Sequence, residues 1–371
     1  MTAFDFLCAC CQGPAGEPTV EAALGSPLDW GAVLTSASSH RLFPALHAAL
    51  QGRNDVPASI QSALNARFLA HNRRVLRFSA ALSAILRQFA AAEIEVILHK
   101  GPALAQHLYG DSSMREFGDL DLLVHAKNVA RACAALRELG FQPHLELTLP
   151  QERAYVRAGY EYAFASSLGP NIIELQWQIL PRFYALAFQP DELFRRSVEI
   201  EFEGQRARML CDEDLLLTLC AHAAKHCWAQ LGMVRDIATL ARQPLEWSWI
   251  IGEAKRLGIV RILTVSLVLG RNLLGVDLPP QLATDAEFRR SEPLATVIQQ
   301  QMKAAAEPNT ESLAYFRFMM RLRESWHHRF QFAARLAFTP SVGEWNAIHL
   351  PDNLFPLYRG VRLLRLLRRA F

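Results

Sequence analysis

The chain has 371 residues, a net charge of +3 and hydrophobic residues at 51% of positions. That length accommodates two or three cores, and the near-neutral balance gives no support for an extended nucleic-acid surface, which normally needs a strongly basic face. No apolar stretch approaches the ~18 residues of a membrane crossing, so the composition predicts a soluble globular protein.

Residues 1–28 carry Gly, Pro and Cys with weak periodicity and are expected to form a loosely held lead-in. The opening Met1-Thr-Ala-Phe-Asp5 lacks the basic start and apolar core of a signal peptide. Seven cysteines cannot pair evenly, and their helical or N-terminal contexts point to a reducing cytoplasm. Cys8, Cys10 and Cys11 form a cluster able to bind a soft metal or carry a lipid, but no second Cys/His pair with ligand spacing follows.

Residues 29–92 read as an N-terminal helical region. Leu64, Phe68, Leu76, Leu82, Ile85, Leu86 and Phe89 recur at helical spacing, with Arg67, Arg73, Arg74, Arg77 and Arg87 on a solvated face. Residues 93–185 change character. A strand over Ile94–Leu98 leads through Lys100-Gly101-Pro102 into a short helix from Ala103 to Tyr109, since Pro suits a first helical turn. A loop carries Arg115 into a strand over 119–124, and Lys127 to Gly140 reads as a helix closed by glycine. Strands over Tyr160–Ala165 and Ile172–Trp177 follow, joined by a turn-rich connection.

Residues 186–371 are expected to be a helical domain, nearly all helix from Pro190, with breaks at Pro244, Pro279-Pro280, Pro340 and Pro351 and no fixed-period repeat. The tail 357–371 is a basic amphipathic helix. It either touches an anionic membrane surface weakly or packs its leucines on the domain and leaves its arginines in water. The fold class expected is α+β: a small mixed β-sheet core flanked by N-terminal and C-terminal helical regions.

The chemistry-bearing signal is Gly118-Asp-Leu-Asp-Leu-Leu-Val124. On a strand, Asp119 and Asp121 project to one side. Two adjacent carboxylates repel, and a divalent cation with a preference for hard oxygen ligands resolves that conflict. Thirteen aspartates make a chance D-x-D common, and Asp212-Glu-Asp214 is the internal control. It opens an apolar helical stretch, where acids offset the helix dipole and positions i and i+2 do not face each other.

A third carboxylate is expected from a neighbouring strand. Glu174, alone among apolar residues in Ile172-Ile-Glu-Leu-Gln-Trp177, is the first candidate and Glu161 the runner-up; Glu174 also reads as an edge or salt-bridged glutamate. Lys100 and Gly101 at a helix start suit a phosphate, through a point charge and close backbone approach. Arg115 is placed to clamp the same phosphates, or to pair with Asp111 or Glu116. His222, Lys225 and His226 lie along one helix, where they either close a nucleotide cleft or pack as satisfied imidazoles. No third zinc ligand accompanies the histidines and the Glu of H-E-x-x-H is missing. Arg235-Asp236 reads as a structural ion pair, and Trp326-His-His-Arg329 as surface helix.

Leu98-His-Lys-Gly-Pro-Ala-Leu-Ala105, Tyr109-Gly-Asp, Arg115 and Gly118–Val124 together resemble the signature of the uncharacterised bacterial nucleotidyltransferase family, within the polymerase-β-like superfamily. The similarity extends to Ala221-His-Ala-Ala-Lys-His226 and Arg235-Asp236, and excludes residues 1–28. The resemblance implies transfer of a nucleoside monophosphate from a nucleoside triphosphate to a hydroxyl or phosphate on a small molecule, sugar, peptide or protein. It implies two Mg²⁺ ions on Asp119, Asp121 and Glu174, with Lys100, Gly101, Arg115 and Lys225 on the nucleotide. Lys-Gly stands where the superfamily usually has Gly-Ser, Glu174 where Asp is usual and Gln176 where His is frequent. A catalytically degenerate binding or regulatory protein on the same scaffold is the alternative.

Overall fold

The computed structural model describes residues 1–370 apart from 146, 148, 167–168, 284–285, 306–308, 310–311, 341–343, 345–347 and 349. Its centre is a seven-stranded mixed sheet in the order β3-β4-β5-β2-β1-β7-β6. The strands are β1 (Val96–Leu98), β2 (Leu120–Val124), β3 (Gln142–Pro143), β4 (Glu161–Ser166), β5 (Gly169–Gln176), β6 (Val198–Phe202) and β7 (Gln205–Met209). β2 lies antiparallel to β1 and parallel to β5, while β1 is parallel to β7. Leu98, Leu120, Leu122, Leu123 and Val124 are essentially sealed from water, as central strands require. The turn between β4 and β5 includes residues 167 and 168, which lie outside those described.

The β6–β7 hairpin departs from the expectation of helix beyond Pro190. It turns on Glu203 and Gly204, both with positive φ (49° and 71°), the pattern of a two-residue hairpin turn. Val198, Ile200 and Phe202 alternate with glutamates, a period-2 signal overshadowed by the helical stretches around it.

Before the sheet come α1 (Ala3–Cys11), α2 (Glu17–Leu24), α3 (Trp30–Ser39), α4 (Phe43–Leu50) and the long α5 (Ala58–Ala91). Residues 1–28 are not a loose lead-in. Thr2 caps α1, Phe6 and Leu7 have no exposed surface, and Gln12 Nε2 donates to the Leu273 carbonyl at 3.0 Å. Each buried apolar side chain is worth roughly 2 kcal/mol, enough in aggregate to hold a short helix. Cys8 and Cys10 are core residues whose thiols burial pushes far above their usual range. In α5, Leu64, Leu82, Ile85, Leu86 and Phe89 are buried as their spacing predicts, but Leu76 is exposed. Val75 and Phe78 take the inward positions around it.

Within and after the sheet come α6 (Gly101–Tyr109), α7 (Val129–Glu138), α8 (Leu149–Ala158), α9 (Pro190–Arg196), α10 (Asp212–Lys225), α11 (Leu231–Ala241), α12 (Trp247–Leu257) and α13 (Val260–Leu274). Further helices are α14 (Pro280–Ala283), α15 (Ala286–Lys303), α16 (Leu313–Arg321), α17 (Trp326–Phe338) and the C-terminal helix Tyr358–Ala370. Nearly all of α13 is buried, with α1, α10, α11, α12 and α15 packed around it. No described helix is long and apolar enough to cross a membrane. The C-terminal helix departs in part from the expected packing of its tail: Arg362 and Arg365 reach the buried Glu344 and Leu364 is exposed, while Arg359 is exposed and Val361 packs against the core.

Candidate active site

The parallel register of β2 and β5 sets Asp121 opposite Glu174, and β4 sets Glu161 opposite Gln176. Partners in register share a face, so these polar side chains gather on one side of the sheet while Leu120, Leu122 and Leu175 enter the core on the other. Asp119 immediately precedes β2, and with Glu174 it lines a cavity of about 220 Å³. Lys100, Arg115, Glu116 and Phe117 share that lining. The far wall is helical: Leu219, His222, Lys225 and His226 from α10, and Gly232, Met233, Arg235 and Asp236 from α11.

Gln176 ties the acids together. Its Nε2 donates to Asp121 Oδ1 and to Glu174 Oε2, each at 3.0 Å, and its Oε1 lies 3.0 Å from His99 Nε2. Lys100 Nζ donates to the same Asp121 Oδ1 at 2.6 Å. Asp121 Oδ2 is buried with no hydrogen-bond partner among the described residues, and Glu161 Oε2 likewise, although Tyr160 donates to the other Glu161 oxygen.

These contacts divide the protons. Burial works to raise the Asp121 carboxyl, but the charge of Lys100 and the hydrogen bond it donates help to outweigh it and hold Asp121 below its usual range. Burial, then the neighbouring charges of Asp121 and Glu161, push Glu174 up to about 8. Burial and Asp121 raise Asp119. Burial alone would lower Lys100, yet Asp121, Glu174 and Asp119 together raise it, so it is charged.

Lys100 occupies the N-cap position of α6 in an extended conformation. Gly101 has φ +66°, and a Cβ there would stand 3.3 Å from the Asp119 carbonyl oxygen. Only glycine lets the α6 N-terminus pass this close to the acids. Arg115 reaches neither Asp111 nor Glu116: its Nε donates to Asp236 Oδ2 at 2.7 Å, and Tyr109 donates to Asp236 Oδ1 at 2.7 Å. Arg235 and Asp236 are therefore not an ion pair with each other. Neighbours on a helix point apart, and Arg235 lies over the Tyr109 ring at 4.1 Å with Nη1 on the Met114 carbonyl. Glu116 instead accepts from the Phe43 backbone N–H at 3.0 Å.

On α10, the rings of His222 and His226 are 4.7 Å apart. Burial, helped by nearby lysines, lowers His222 far below its usual value and His226 to about 3, so both are neutral. Lys225 Nζ lies over the Tyr160 ring at 5.5 Å. Asp212 and Asp214 match their expected helix-start role: Asp214 pairs with Arg196, and Asp212 lies 2.6 Å from His107 Nε2.

Asp119, Asp121 and Glu174 supply hard carboxylate oxygens of the type a divalent cation prefers, and Asp121 Oδ2 has no hydrogen-bond partner among the described residues. The set is not a closed cage, because no three His, Cys, Asp or Glu side chains among the described residues converge at ligand spacing. Three participants are given no role by the sequence. His99 and Gln176 show their roles only through β1–β2–β5 adjacency, and Arg41 enters the cavity from the turn between α3 and α4.

Acids paired across adjacent strands, a glycine-led helix start beside them and a helical wall closing the cavity define a nucleotidyltransferase-like protein. The chain belongs to the family of uncharacterised nucleotidyltransferases, whose sequence model matches residues 26–275. Among solved structures it is similar to an antigenic nucleotidyltransferase-like protein from Paracoccidioides brasiliensis, with 14% identity and a TM-score of 0.32, over 64% of this chain and 96% of that one. No curated protein matches it.

Proposed function

We propose that the protein transfers a nucleoside monophosphate from a nucleoside triphosphate to an acceptor hydroxyl or phosphate. The acceptor oxygen forms a bond to the α-phosphorus, the bond from that phosphorus to the bridging oxygen breaks, and pyrophosphate leaves. The observation that carries this reading is the in-register pair Asp121–Glu174 beside Asp119, with Glu174 and Asp119 lining a cavity whose other walls bring Lys100, Arg115 and Lys225. Asp119, Asp121 and Glu174 are the residues suited to hold Mg²⁺, which when bound neutralises phosphate charge and makes the acceptor oxygen a better nucleophile. The N-terminus of α6 at Gly101 offers backbone N–H groups to phosphate. Gln176 fixes the rotamers of two carboxylates, and neutral His222 and His226 can donate or accept hydrogen bonds without adding charge.

The test is release of pyrophosphate from each of the four common nucleoside triphosphates in the presence of cell extract as acceptor pool. Wild type should release it with Mg²⁺ and not with chelator. Folded Asp119→Ala should lose at least a hundredfold, and wild-type release by that variant would sink the assignment.

Two observations favour a second reading, nucleotide binding without turnover: Lys100 sits on Asp121, and the acids form no closed cage among the described residues. Titration with nucleotide, with and without Mg²⁺, separates the two. Binding that is independent of Mg²⁺ and followed by no release supports a binding or regulatory protein.

A further inference from the structure

Arg41 is the second residue of the short link between α3 and α4, and it is in the left-handed region at φ +55°. A non-glycine residue there costs about 1 kcal/mol. The surrounding contacts fix it. The His40 carbonyl accepts from Gly232 N–H at 3.1 Å, and His40 Nδ1 from Leu231 N–H at 3.3 Å, tying the link to the start of α11. A Cβ on Gly232 would stand 3.0 Å from the His40 oxygen, so the two backbones meet as closely as glycine allows. On the other side, Phe43 N–H is held by Glu116 in the loop before β2.

The result is an arginine delivered into the cleft from outside the sheet. Arg41 lines the cavity with Asp119 and Glu174, its charge bears on Asp119, Glu116 and His226, and its side chain makes no hydrogen bond or ion pair among the described residues. The other cations on the acid side are already engaged, Lys100 by Asp121 and Arg115 by Asp236. A triphosphate carries more negative charge than those neutralised pairs can balance, and a guanidinium matches phosphate bidentately.

We propose that Arg41 is a substrate-binding residue that grips the β,γ-phosphates, and hence the departing pyrophosphate, so that the N-terminal helices complete the active site. The assignment rests on the nucleotidyl-transfer reading above, but the anion grip can be measured without turnover. Binding of Mg²⁺-tripolyphosphate by wild type, Arg41→Ala, Arg41→Lys and Arg41→Gly is read by calorimetry, with Tm recorded for each. Arg41→Ala and Arg41→Gly should weaken binding about tenfold or more, and Arg41→Lys less. Arg41→Gly should have an equal or higher Tm, because glycine occupies that backbone region freely.

Affinity within twofold of wild type in both Arg41→Ala and Arg41→Gly overturns the proposal. So does parallel loss of affinity and Tm in Arg41→Gly, which would make Arg41 a structural residue. Wild type that binds tripolyphosphate through Arg41 yet releases no pyrophosphate from any triphosphate upholds the grip and defeats the transfer reading. Wild type that binds no Mg²⁺-tripolyphosphate defeats both.

Discussion

Asp121 and Glu174 face each other across two parallel strands and share one donor, the Nε2 of Gln176. Two buried carboxylates at this spacing cannot both ionise cheaply. The site answers with an uneven distribution: Asp121 keeps its charge against Lys100, and Glu174 is driven up to about 8 by burial, Asp121 and Glu161. The amide holds both carboxylates in place without adding charge of its own.

Gln176→Leu should expose that role. It removes one shared donor from two acids and the partner of His99, leaving buried polar atoms unsatisfied at about 1–3 kcal/mol. The variant should fold, unfold at a midpoint lower by roughly that free energy in urea, and lose pyrophosphate release by more than its stability loss explains. A variant with wild-type turnover would show that carboxylate orientation does not depend on residue 176.

Lys100→Met tests the internal cation. Lys100 and Asp121 are a buried pair, with side chains 11% and 1% exposed, and breaking such a pair by removing one partner costs about 3–5 kcal/mol. The prediction is a large fall in Tm in chelator, with Mg²⁺ restoring more of it than in wild type, because the cation then fills the role of the lost ammonium. Equal Mg²⁺-induced shifts in the two proteins would mean the acids do not take up the ion.

What the sequence made legible follows from range. The strand–turn–helix–strand unit from residue 96 to 124, with Gly101 and the paired aspartates, is local, and it stands much as its spacing predicts. Glu174 stands out in the sequence as a lone acid in an apolar strand, and it lines the cavity. Pairings across long separations do not stand out. Arg115 finds Asp236, 121 residues away, and Gln176 finds His99, 77 residues away, through strand and helix adjacency that no local pattern encodes. The same holds for residues 1–28, where α1 packs on α3, α4 and the distant α13, and for Arg41, whose link is tied to the start of α11.

Gly101→Ala isolates the close approach at the start of α6. Both Gly101 and Gly110 have positive φ, +66° and +72°, but only at Gly101 would a Cβ meet another atom, the Asp119 oxygen at 3.3 Å. Each alanine should therefore cost about 1–2 kcal/mol of backbone strain. Gly101→Ala should in addition weaken Mg²⁺-tripolyphosphate binding severalfold, while Gly110→Ala leaves it unchanged. Identical binding by the two variants would remove Gly101 from the phosphate site.

Acid should destabilise the fold through its buried imidazoles, and His99 gives the sign. Burial is the largest influence on it and lowers it from 6.5 to about 4, against the opposing pull of Asp121. Between those values the unfolded chain binds a proton that the folded chain refuses, so unfolding is favoured as pH falls. The contribution of His99 is complete above pH 6.5, declines through that value, and levels off near pH 4 after a loss on the order of 3 kcal/mol. His226, lowered to about 3 chiefly by burial, acts in the same direction. His99→Gln should be less stable than wild type at pH 7.5, where a fitted imidazole is lost, yet its stability should fall less steeply between pH 6.5 and 4.5. Carboxylate protonation is common to both proteins and cancels in the comparison of their urea midpoints. Parallel pH profiles would show that His99 takes up its proton in the folded state as readily as in the unfolded chain, and that the bond to Gln176 does not hold a neutral ring.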